Sequence, residues 1–122
     1  MANEIIKNLK MQLKDDGFVN IRNIYYKKTD GKIVFVNFHK RLDGECNIEL
    51  GIQFEINIDD VKIKNADIGC VFKGDITNFV QEVNVWFNER ATMDKIRKLF
   101  WSGKLGDFIS DKCEKIIKKE EY

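Results

Sequence analysis

The side chains able to do acid–base or covalent chemistry are few in this chain, and one short region gathers most of them. His39 is the only histidine. If the runs 32–40 and 46–56 are paired strands, alternation puts Asn37 and His39 on one face with Asn47 and Glu49. Those groups could hold a ligand or accept a proton. A lone histidine on a solvated strand is the more ordinary reading. No second histidine and no close cysteine pair completes a tetrahedral metal set. Cys46 falls within reach of the His39 region across the same hairpin, but no third group stands ready to orient a Cys–His pair. Gly103-Lys104 lacks the upstream glycine and downstream Ser/Thr of a phosphate-binding loop, and no dinucleotide fingerprint is present. The acidic pairs Asp15-Asp16 and Asp59-Asp60 fall in turns, where capping and solvation explain them. No catalytic residue, metal or cofactor is expected.

Cations are more numerous. Lys27, Lys28, Lys32, Lys40 and Arg41 cluster near the hairpin ends beside Tyr25 and Tyr26. Cations interleaved with aromatics can follow a nucleic-acid backbone. Exposed lysines also keep sheet edges from pairing. A formal net charge of +1 on 122 residues supplies no field to recruit a polyanion or an anionic membrane. Edge protection is therefore the preferred reading, and neither nucleic acid nor membrane is the expected partner. Trp86 and Trp101 read first as core anchors; an exposed tryptophan would instead be an interface hot spot.

All of these groups depend on a sheet for their positions. The stretch 25–56 reads as three strands joined by two turns, each centred on an Asp-Gly pair, Asp30-Gly31 and Asp43-Gly44. Glycine accepts φ > 0 and aspartate hydrogen-bonds its own backbone, so Asp-Gly between apolar runs is a strong hairpin signal. The strands are expected over 21–28, 32–40 and 46–56. In the third, Ile48, Leu50, Ile52, Phe54 and Ile56 alternate with Glu49, Gly51, Gln53 and Glu55, the pattern of an antiparallel sheet with one buried face. A two-residue loop at Asp43-Gly44 would set Val36 opposite Gly51. A three-residue loop with Gly44 in the left-handed bulge position sets Val36 opposite Leu50 and Phe38 opposite Ile48. A one-residue slip inverts every side chain, so the second register is predicted. The core face is then Val34, Val36, Phe38, Ile48, Leu50, Ile52 and Phe54. The outer face is Ile33, Phe35, Asn37, His39, Asn47, Glu49 and Gln53.

Ile5, Ile6, Leu9 and Leu13 recur at helical spacing over 3–16, with Gly17 placed to close the helix in a left-handed conformation. A polar loop or weak edge strand is expected over 57–67, and further strands over 68–73 and 82–88. The last of these rests on Val83, Val85 and Phe87 alternating with Asn84 and Trp86. Thr92 is a candidate N-cap for a short helix with Met93, Ile96 and Phe100 on one face. Ile109, Cys113, Ile116 and Ile117 mark a final helix over 107–119. Residues 1–122 thus form a single α+β domain. An antiparallel sheet of about four to five strands carries an N-terminal helix and C-terminal helices. With 43% hydrophobic and 34% charged residues, such a chain can bury a core without disulfides or metal. Cys46, Cys70 and Cys113 are odd in number and far apart, which suits free thiols in a reducing compartment. Residues 1–13 carry Glu4, Lys7 and Lys10, which interrupt any secretory apolar run. A cytoplasmic protein is expected.

Gly17-Phe18, Tyr25-Tyr26, Val36-Asn37-Phe38-His39-Lys40 and Ile48-Glu49-Leu50-Gly51-Ile52-Gln53-Phe54 resemble the pattern of the DUF4304 family of uncharacterised domains. The resemblance covers residues 5–56 and is loose beyond Ile68, and Ile48-Glu49 replaces the small or amide residues of that pattern. It implies an α+β fold and carries no catalytic residues.

The function expected from these features is non-enzymatic. The protein would bind another macromolecule, in the manner of a small bacterial or phage immunity or inhibitor protein, through Asn37, His39, Glu49 and Trp86. The alternative is a metabolite or nucleotide pocket between the sheet and the terminal helices, using Asn37, His39, Glu49 and Trp101. A hydrolase built on His39 and Glu49 comes third. Ile33 and Phe35, apolar on the outer face, also make a homodimer reasonable.

Overall fold

The computed structural model describes residues 2–29, 31–40, 42, 46–54, 66–72 and 79–119. Helix α1 (Ala2–Asp15) buries Leu9 and Leu13, one turn apart. It ends where the sequence places its glycine. Gly17 has φ 90°, its N–H donates to Lys14 O, and the Phe18 N–H donates to Leu13 O. That paired closure satisfies the last helical carbonyls and turns Phe18 toward the core.

Among the described residues, six antiparallel strands follow in a plain meander, β1 (Val19–Ile21), β2 (Ile24–Thr29), β3 (Lys32–Lys40), β4 (Cys46–Gln53), β5 (Ile68–Phe72) and β6 (Phe108–Ile109), ordered β1-β2-β3-β4-β5-β6. The register of the central pair is the predicted one, with Val36 opposite Leu50 and Phe38 opposite Ile48. Thr29 pairs with Lys32, so Asp30-Gly31 is a two-residue turn, and Gly31 has φ 75°. The Asp43-Gly44 turn and the polar segment 57–65 lie outside the described residues.

Three departures separate this sheet from the expected one: two add a strand and the third removes one. The first expected strand is a hairpin, because Ile21 pairs with Ile24 around Arg22-Asn23. No glycine marks this turn; Arg22 itself takes the left-handed conformation, φ 58°. Strand β6, two residues long, takes the start of the helix expected over 107–119, which begins only at Asp111; two residues are too few for any alternation to show. Residues expected as a strand over 82–88 are helical instead, within α2 (Phe79–Asn88). Val83, Val85 and Phe87 alternate by coincidence: Val83 and Trp86 are buried at helical spacing while Val85 is exposed.

Helices α3 (Met93–Trp101) and α4 (Asp111–Lys119) complete the layer. Thr92 caps α3 as expected, its hydroxyl accepting the Lys95 N–H at 3.3 Å. The four helices of the described residues all contribute to one buried cluster, with Leu9, Leu13, Val83, Trp86, Ile96, Cys113 and Ile117 meeting Val34, Val36, Phe38, Ile48, Leu50 and Ile52. Each large aliphatic side chain so buried contributes about 1.5–3 kcal/mol. Asp67 ties the far end of the sheet to α4. Its carboxylate accepts the Phe54 N–H at 2.8 Å and the Ser110 hydroxyl at 2.6 Å, and Ser110 Oγ accepts the Cys113 N–H at the start of α4.

Among the described residues, the helices pack on this one face. On the other, Ile33, Phe35 and Ala66 form a second buried cluster, with Ile24 and Tyr26 packed against it. Ile33 and Phe35 are fully buried within the single chain, so they leave no apolar surface that calls for a second copy. Val19, Tyr26, Phe35, Gly51, Gly69 and Phe108 are successive register partners and make one row across all six strands. The Phe35 ring lies over Gly51 and the Phe108 ring over Gly69, which glycine permits because it has no Cβ.

Candidate functional site

A neighbouring row on the outer face, Ile21–Ile24–Asn37–Glu49–Val71, runs across five strands. Its centre is polar. Asn37 and Glu49 are Cα partners on β3 and β4, and Asn37 Nδ2 donates to Glu49 Oε1 at 2.5 Å. The β1 end is apolar and open: Val19 is 52% and Ile21 42% exposed, although both are strand residues. Strand β1 is also an edge of the sheet. Main-chain groups on the outer side of an edge strand are available to a partner strand.

Two of the four residues expected at a partner surface therefore meet directly, and a third adjoins them. His39 is exposed two residues along β3 from Asn37, with Asn47 as its register partner. Trp86 does not belong to this surface. It is buried on α2, beneath the opposite face of the sheet, where its ring packs edge-on against Phe87 and under Arg90. The strand expected over 82–88 would have carried Trp86 into the sheet; the helix carries it into the core.

The alternative set is divided in the same way. Trp101 is exposed at the end of α3, in the helical layer, its ring edge-on to Phe100. Asn37, His39 and Glu49 lie on the face that the helices leave uncovered. The sheet separates them from Trp101, and the clefts on the helical side are lined by none of the four. The acid–base pair is not formed either, because Glu49 bonds Asn37 and is offset from His39 along the ladder. Cys46 pairs with Lys40, one position beyond His39–Asn47. Among the described residues, no three His, Cys, Asp or Glu side chains gather as metal ligands would. Among them too, no helix is long and apolar enough to cross a membrane.

The basic cluster also divides. Lys28 is exposed, as edge protection requires, but Lys32 is 7% exposed and points inward in phase with Val34, Val36 and Phe38. The alternation that identified the core already included Lys32; its charge hid it. Val19 and Ile21 went unseen for a different reason. The strand expected over 21–28 leaves Val19 outside and runs Ile21 straight through the Arg22-Asn23 turn.

The chain matches no protein-family model, no curated protein and no solved structure.

Proposed function

We propose that this protein is a non-enzymatic binding domain that captures another protein on the outer face of its sheet, in a cytoplasmic immunity or inhibitor-type role. One observation carries the reading: the exposed apolar pair Val19 and Ile21 on edge strand β1 is continuous with the hydrogen-bonded Asn37–Glu49 pair. Scattered exposed aliphatics are ordinary. A contiguous apolar strip bordered by polar groups is the composition of a recognition surface. The open β1 edge adds main-chain hydrogen bonding, which lets an incoming strand extend the sheet. The helical layer packs behind the sheet and Phe35 is fully buried on the face itself, so little ordering is needed on binding. Free thiols at Cys70 and Cys113 agree with a reducing compartment. Membership of the DUF4304 family would add the fold and no chemistry.

Ile21→Glu places a charge in the apolar strip, and the pair Asn37→Ala with Glu49→Ala removes its polar centre. Each variant is expected to bind the captured partner at least about tenfold more weakly. Ile21→Glu, at an exposed site, is expected to leave the unfolding midpoint unchanged, and the paired alanine change, which removes a part-buried hydrogen bond, to lower it slightly. Undiminished capture by both variants contradicts the reading.

A further inference from the structure

We propose that a cationic cleft on the helical side, distinct from the outer face, binds a small molecule through a phosphate group. The cleft encloses about 380 Å³ between the end of α1, the β2–β3 hairpin and the end of α2. That volume is at the small end of ligand sites and fits a phosphate with a nucleoside- or sugar-sized group attached.

Its lining holds three cations, Lys27, Lys32 and Arg90, against one carboxylate, Asp16. The Asp16 carboxylate is engaged by the Gln12 amide at 3.2 Å, while its backbone carbonyl accepts Lys27 Nζ at 2.8 Å. Lys32 Nζ donates to the Ala91 carbonyl at 3.2 Å. Among the described residues it has no other hydrogen bond and no ion pair. An ammonium carries three donors, so two remain for an occupant. Buried lysines are rare without a countercharge, because desolvating an ammonium is costly unless something neutralises it. Among the described residues, no carboxylate takes that role.

Arg90, 5% exposed, is held rigidly beside it. Its Nε donates to Leu105 O at 2.7 Å, Nη1 to Trp86 O at 2.8 Å and Nη2 to Lys104 O at 3.2 Å, with the guanidinium 4.3 Å above the Trp86 ring. All three acceptors are neutral carbonyls, and among the described residues its ion pair, to exposed Glu89, is long at 4.0 Å. Its charge is therefore positioned without being cancelled. A preorganised guanidinium beside an unpaired ammonium is the donor set that phosphate oxygens require. Asn84 and Asn88 from α2 offer amides to the rest of the ligand, and Phe18 and Phe87, 6.1 Å apart, supply an aromatic wall. A larger, mostly apolar cleft of about 460 Å³ shares Lys32 and Ala91 but has no other charged residue in its lining. The cations thus gather on one side of Lys32.

The test is thermal unfolding of the full chain at matched ionic strength, with inorganic phosphate, adenosine monophosphate or an oligonucleotide lacking terminal phosphates. Wild type is expected to be stabilised by the first two. Lys32→Met keeps the side-chain length and removes the buried charge, so it should fold with a midpoint at or above wild type. Its adenosine monophosphate affinity should fall at least about tenfold, the loss for one charged hydrogen bond. Lys27→Met, at the cleft wall, should lose affinity as well and decides the matter if Lys32→Met does not fold. No stabilisation of wild type, an equal response in the folded variants, or a response to the oligonucleotide alone overturns the proposal.

Discussion

Cys113 and Cys70 show how single side chains record their surroundings. Burial pushes the Cys113 thiol up to about 12, with Asp67 and Glu114 acting in the same direction. Burial likewise raises Cys70 to about 11, and Asp107 adds to it. Both thiolates are disfavoured in the native state, and the thiolate is the reactive form. Peptide-level mass spectrometry at neutral pH is therefore expected to find Cys113 unmodified by iodoacetamide until the protein is unfolded, with Cys70 reacting slowly. Rapid native labelling of Cys113 would contradict its burial. The same shifts fix a pH dependence. The folded pKa values stand above the unfolded value near 9.0, so the unfolded chain loses its thiol protons first as pH rises. Stability from these groups is complete below about pH 9 and declines as pH climbs toward 11 and 12. A chemical-denaturation series across that range checks the sign.

The strands are held in place by contacts that glycine alone allows. A Cβ on Gly51 would come within 2.1 Å of Phe35 Cζ, and one on Gly69 within 2.1 Å of Phe108 Cζ. The two rings differ in their freedom to move. Phe35 is fully buried, whereas Phe108 is 37% exposed and can swing outward. Gly51→Ala is therefore expected to cost about 1–3 kcal/mol by overpacking, and Gly69→Ala distinctly less. Thermal melts of the two variants check this; equal losses would contradict it. At this scale the sequence was readable where two signals agreed. The β3–β4 register followed from alternation on both strands, and the ends of α1 and α3 followed from Gly17 and Thr92. It misled where one signal stood alone. Val83, Val85 and Phe87 satisfy a two-residue period, yet burial of Val83 and Trp86 obeys the helical one. The Arg22-Asn23 turn carries no glycine, so nothing in composition announced it.

Over the described residues, the helices pack against one side of the sheet, and the other side carries the part-buried Asn37–Glu49 pair and the exposed residues of β1. Alternation alone put Asn37, His39 and Glu49 together, because residues on one strand face stay together whatever surrounds them. It could not say which helix covers which face, and so it joined Trp86 and Trp101 to groups across the sheet. Lys32 and Arg90 were missed because a charged residue in phase with the core reads as an exception until the cleft around it is seen. The central claim is that the outer face, not the helical side, meets a partner protein. It is tested most directly by a photo-crosslinking amino acid placed at position 21 on β1 and, separately, at position 101 on α3, both exposed. In native lysate, position 21 is expected to capture one distinct protein and position 101 none. A crosslinked protein from position 101 alone, or none from position 21, would contradict the account.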